Sequence, residues 1–164
     1  MPLIKDGLVI EDAWTRVEDC GVLPDGPVVV SLARWQAERD ALVQRNGPLG
    51  IVLASNEMPE AIADDLARFD LVCLAFPKFQ DGRAYSSARK LRQRFGYRGE
   101  LRAVGNVLRD QFLFMRRCGF DSFEVADARA VAQWQRAMSE ISVVYQPAAD
   151  ARATATQQRA GCRG

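Results

Sequence analysis

Short apolar runs alternate with longer amphipathic segments along most of this chain. Runs at 28–32 (VVVSL), 49–54 (LGIVLA), 71–75 (LVCLA), 100–104 (ELRAV) and 120–125 (FDSFEV) have the length and composition of largely buried strands. Between them the apolar spacing changes to that of a helix. Trp35, Leu42 and Val43 lie within 32–44, and Ile62, Leu66 and Phe69 within 60–69. Ala84, Ala88, Leu91 and Phe95 share a stripe over 83–95, as do Leu108, Phe112 and Met115 over 107–118. Asn46-Gly47-Pro48, the 96–99 stretch and Gly119 end three of these helices. A last helix is expected over 128–141, capped by Asp127 and carrying Trp134 and Met138, with a final strand at 143–145.

Alternating strands and helices predict parallel pairing through crossover helices. The expected fold is a single α/β domain over 1–146 with a mostly parallel sheet of five or six strands. Eight repeating units would close a barrel, and the chain is too short for that. An open doubly wound sheet is preferred, and a partial barrel completed by homodimerisation is the alternative. Residues 1–26 hold short alternating segments at 8–10 and 13–17, expected to form a small strand pair or edge extension before the turn at 23–27. Residues 147–164 contain no large apolar side chain and are expected to form a disordered tail.

Composition narrows the chemistry. The chain has 164 residues with a net charge of +1, so bulk electrostatics give no drive towards nucleic acid. No apolar run approaches a membrane span and the first residues lack a secretory pattern, so a cytoplasmic protein is expected. There is no histidine, which excludes histidine-dependent triads and general bases. Cys20, Cys73, Cys118 and Cys162 are scattered without a C-x-x-C pair, unlike a disulfide framework or a metal-ligand set. No glycine-rich dinucleotide loop or P-loop follows any strand.

In a parallel sheet the loops at the carboxyl ends of the strands hold the ligands. Those loops carry Ser55, Asn56 and Glu57, then Lys78, Asp81, Arg83, Tyr85, Ser86 and Ser87, then Asn106, Arg109, Asp110 and Gln111, then Glu124 and Asp127. Arg83 and Arg109 each fall at a helix start, where two guanidinium groups and free backbone N–H groups suit a small oxyanion such as sulfate, sulfite or phosphate. The binding candidates are Lys78, Arg83, Ser86, Ser87, Asn106, Arg109 and Gln111. Asp81, Tyr85 and Asp110 are the candidates for proton transfer. The structural alternative makes Asp81 a helix cap, with Arg83, Arg109 and Asp110 forming salt bridges that tie two loops together.

The block FPKFQDGRAYSSARKLRQRFGYRGELRAVGNVLRDQ at 76–111, continuing as FLFMRRCGFDSFEV, resembles the hallmark block of a bacterial family of unknown function. Members are described as oxidoreductases involved in sulfite reduction, because they tend to be encoded beside sulfite reductase. The resemblance implies a cytoplasmic role in sulfur assimilation; it names no cofactor and no catalytic residue. The family pattern has aspartate where this chain has Asn106, which leaves Asp110 as the carboxylate of that loop. The function expected is an accessory of assimilatory sulfite reduction, binding a sulfur oxyanion or sulfite reductase itself through the carboxyl-edge loops. The alternative is an oxidoreductase or other enzyme acting on a small oxyanion-bearing sulfur compound.

Overall fold

The computed structural model of the chain describes residues 2–78 and 81–125. The helix expected over 128–141, the strand at 143–145, the cap at Asp127 and the tail lie outside them. Among the described residues, eight strands form one sheet: β1 (Leu3–Lys5), β2 (Leu8–Ile10), β3 (Thr15–Arg16), β4 (Val28–Ser31), β5 (Leu49–Leu53), β6 (Leu71–Phe76), β7 (Glu100–Gly105) and β8 (Ser122–Glu124). Helix α1 (Leu32–Val43) follows β4, and a 3-10 helix (Pro59–Arg68) follows β5. Helix α2 (Arg83–Arg89) follows β6 and continues as a π-turn (Lys90–Arg94); α3 (Phe112–Cys118) precedes β8.

The strand count exceeds the five or six expected, because three short amino-terminal strands join the sheet. Across the sheet the order is β2-β1-β8-β7-β6-β5-β4-β3. From β3 to β8 every pair is parallel, while β1 is antiparallel to both β2 and β8. Asp6 and Gly7, both at positive φ, turn the chain between β1 and β2 as an Asp-Gly hairpin does. Of the strand pair or edge extension expected at 8–10 and 13–17, the pair is not formed: β2 and β3 stand at opposite edges of the sheet.

This order overturns the doubly wound expectation. A doubly wound sheet reverses its strand order part-way, placing helices on both faces. Here each parallel strand is laid beside the last in one direction, and right-handed crossovers then put all the connecting helices on one face. The result is a curled half-barrel. Its curl follows from chain length: only Glu11–Trp14 join Ile10 of β2 to Thr15 of β3. Five Cα steps reach about 17 Å, whereas eight strands laid flat would separate the edges by about 34 Å. The ion pair of Arg16 on β3 with Glu124 on β8, at 3.7 Å, crosses the same concavity.

The core therefore has two parts. Beneath the helices lie Ile51, Leu53, Leu74, Leu101, Ala103 and Phe123 from alternate strand positions, packed against Trp35, Ile62, Ala88, Leu91, Phe112 and Met115. Trp35 is 1% exposed and meets Phe69 edge-on at 4.7 Å. The concave face holds the smaller cluster of Val29, Leu71, Cys73 and Val104, with Trp14 against it. Gly50 makes room for Trp14: a Cβ there would lie 3.2 Å from the indole and 3.1 Å from Val29. The 11–14 segment is thus a strap over the concave face.

Two helices differ from the periodic pattern. The segment after β5 winds as 3-10 turns, with Pro59 at its start and Ile62 and Leu66 buried. Regular helix in the 107–118 segment begins only at Phe112; Leu108 is extended and 41% exposed, so it does not belong to the buried stripe.

Candidate functional site

In a singly wound α/β sheet, as in a barrel, the loops after the strands gather at one rim. Lys78, Asp81 and Arg83 stand after β6, and Ser55 after the neighbouring β5. Asp81 folds back on the start of α2: its carboxylate accepts from the Arg83 backbone N–H at 3.3 Å and from the Arg83 Nε and Nη2 at 2.9 and 2.7 Å. Arg83 Nη2 also donates to the Ser55 hydroxyl at 3.1 Å, linking the two loops. The Arg83 side chain is 61% exposed, while that of Asp81 is only 13% exposed. Hydrogen bonds from Arg83 and then Ser55 hold the Asp81 carboxyl well below the usual carboxylate range. An Asp81 so paired stays ionised and orients Arg83.

The remaining candidates divide between the rim and the core. Lys78, Ser86, Asn106, Arg109 and Asp110 are exposed. The backbone N–H of Asn106 bonds the Phe76 carbonyl at 2.7 Å, so the loop after β7 is fixed against the end of β6. Gly105 permits that approach: its φ is +92°, and a Cβ there would lie 2.7 Å from the Phe76 oxygen. Arg109, Asp110 and Gln111 form a short 3-10 turn in the next part of this loop. Among the described residues, Arg83 pairs with Asp81, and neither Arg109 nor Asp110 joins that ion pair. The structural alternative expected a bridge from this loop to the one after β7; the contact seen, through Ser55, ties it to the loop after β5.

Tyr85 and Ser87 point away from the rim. Ser87 is 8% exposed on the core side of α2. Tyr85 lies edge-on between Phe76, at 5.2 Å, and Phe114, at 4.9 Å. Its hydroxyl is buried without a hydrogen-bond partner among the described residues. Burial, then the neighbouring Cys118, pushes the Tyr85 phenol up from its ordinary value.

A second polar group lies where sequence inspection did not look, inside the curl. Arg102 is 4% exposed. Its Nη1 donates to both Asp12 oxygens at 2.9 and 2.8 Å, and its Nε and Nη2 donate to Glu100 Oε1 at 3.2 and 3.0 Å. Glu100 also accepts from Ser122 at 2.6 Å and from Lys5 at 2.7 Å. Burial pushes the Glu100 carboxyl up, but hydrogen bonds from Lys5, Ser122 and Arg102 outweigh it and the net shift is downward. The signal for this network was in β7, where Glu100 and Arg102 put two charges on one face of a strand that is covered on both sides.

The fold and rim define the class: a singly wound α/β half-barrel with a polar carboxyl-end rim and a closed, ion-paired concave face. The family of bacterial proteins of unknown function DUF934 is matched over residues 50–156, and the chain belongs to that family. No curated protein and no solved structure matches the chain. Among the described residues, no helix is long and apolar enough to cross a membrane.

Proposed function

We propose that this protein is a non-catalytic accessory of assimilatory sulfite reduction that binds a sulfur oxyanion or sulfite reductase itself at the carboxyl-end rim. The observation that carries the rim assignment is Arg83, aimed outward by a two-pronged contact with Asp81 and a bond to Ser55. Orienting a guanidinium beforehand lowers the ordering cost of binding an anion. Its Nη1 edge and the exposed Lys78 amine are the groups that meet the ligand, and Lys78 gives the Lys78–Asp81–Arg83 set one net positive charge. The sulfur role follows from the resemblance of the 76–125 block.

Binding is favoured over catalysis by the protonation chemistry. Proton transfer near neutrality needs a group that titrates there. Asp81 is held ionised and Tyr85 is pushed further from neutrality, so neither suits the task. Asp110 is the exposed carboxylate left from the set proposed for an enzyme.

Sulfite titrated calorimetrically into the full chain tests the rim. Arg83→Ala is expected to weaken binding by about tenfold or more, the usual range for a lost charge-assisted bond. Unchanged affinity in Arg83→Ala overturns the site. Rates of sulfite reduction with and without the protein test the accessory role separately.

A further inference from the structure

The amino ends of β6 and β7 meet on a part of the surface that the rim does not use. Asp70 stands immediately before β6 and Gly99 immediately before β7. The two ends touch: the Glu100 N–H donates to the Asp70 carbonyl at 2.9 Å, and a Cβ on Gly99 would lie 2.9 Å from that same oxygen. Beside them the end of the 3-10 helix and the 95–99 turn line an open hollow of about 450 Å³, a size suited to a small molecule.

The floor of this hollow is apolar and fixed. Leu66, Phe69 and Tyr97 are buried, and Phe95 packs half-buried against the same core. The Tyr97 hydroxyl donates to the Phe69 carbonyl at 3.0 Å, tying the two sides of the floor together. Its walls carry opposite charges. Asp70 accepts from the Leu49 N–H at 3.2 Å through Oδ2, which holds the carboxylate in place and leaves Oδ1 out of that bond. Arg98 is exposed and makes no hydrogen bond or ion pair among the described residues. The hollow of about 400 Å³ between α1 and the 3-10 helix is different, because its charges are already engaged. There Arg39 pairs with Asp65, and Arg68 donates to the carbonyls of Leu42, Val43, Arg45 and Gly47.

We propose that the hollow between 66–70 and 95–99 binds a free amino acid with an apolar or aromatic side chain. The side chain packs on the apolar floor, Arg98 takes the α-carboxylate and Asp70 the α-ammonium. A plain carboxylate fits less well, since it brings a second negative charge beside Asp70, and a plain amine leaves Arg98 without a partner. A zwitterion answers both charges at once. The site lies at the opposite end of the sheet from the oxyanion rim and does not depend on it.

The test is ligand-observed NMR titration of the full chain with L-phenylalanine, glycine, N-acetyl-L-phenylalanine and phenylethylamine. L-Phenylalanine is expected to bind saturably, and the others at least about tenfold more weakly, since each lacks one of the three groups recognised. Arg98→Ala removes an exposed side chain, and Asp70→Asn keeps an oxygen for the Leu49 N–H; melting curves check that both fold. Each variant is expected to weaken L-phenylalanine by about tenfold. Unchanged affinity in either folded variant, or no saturable binding by the native chain, overturns the proposal. Equal binding of N-acetyl-L-phenylalanine overturns it in favour of a peptide carboxyl terminus, and equal binding of phenylethylamine in favour of an amine.

Discussion

Arg102 and Asp12 join the strap to the sheet through a single guanidinium, and the pair is uneven in burial, with side chains 5% and 31% exposed. Removing Asp12 leaves Arg102 with Glu100 alone, in a place where water reaches only one side. Asp12→Ala is expected to cost about 1–3 kcal/mol in urea unfolding, the range for a buried donor that loses a partner. Adding Arg102→Met to that variant should recover part of the loss, because Glu100 then pairs with Lys5 alone and no excess positive charge is left inside; a purely additive double mutant would show that the two side chains are not coupled. The cysteines are separable at this scale as well. Cys20 is exposed, while burial pushes the Cys73 thiol up to about 12 and also raises that of Cys118. Iodoacetamide on the native chain is expected to label Cys20 rapidly and Cys73 and Cys118 only after unfolding, as peptide mass mapping would show. The continuous apolar run of β6 made Cys73 legible as a packed residue, but Arg102 was read merely as part of a strand. A single sequence gives no sign of the carboxylate ninety positions earlier that makes such an arginine tolerable.

Among the elements, β7 ties the inner network together. Glu100 is paired with Lys5 of β1 and bonded by Ser122 of β8 and by Arg102, so protonating it loosens three strands at once. Its folded pKa is lowered, so its contribution to stability is fully present above the ordinary carboxylate value and is lost as the pH falls through the lower folded value. Acid unfolding of Glu100→Gln should therefore begin less stable near neutrality and show a shallower pH dependence below about pH 4.5; two parallel stability curves would refute this linkage. The strands β4 to β8 were legible because buried parallel strands are continuous apolar runs. The amino-terminal strands were harder to read, since Leu8, Val9 and Ile10 lie exposed at an edge and β3 has only two residues. The start of α3 was misplaced for a related reason: Leu108 has the right spacing from Phe112, yet Gly105 and Asn106 are drawn onto β6 and the chain cannot begin its helix there. The rim positions were legible as strand-end loops, although which side chains faced outward was not; Tyr85 and Ser87 turned inward with the apolar stripe of α2.

For the whole molecule, the consequential feature is that a chain segment of four residues spans the two edges of an eight-stranded sheet. Periodicity reports which residues are apolar, but handedness and strand order decide whether a sheet is flat or curled, so doubly wound and half-barrel arrangements share one pattern. The strap gives the curl a measurable signature. Asp12 fastens it to Arg102, and Trp14 fills the space above Gly50 beside Leu71 and Cys73. Both contacts lie on the concave side, whereas Cys118 is packed beneath the helices on the other. Releasing the strap should therefore expose one core and spare its neighbour. In Asp12→Ala/Trp14→Ala, Cys73 is expected to react with iodoacetamide faster than global unfolding allows, while Cys118 keeps its native protection. If both cysteines gain reactivity together, the strap stabilises the whole fold without closing the concave face, and the half-barrel would owe its curl to strand twist alone.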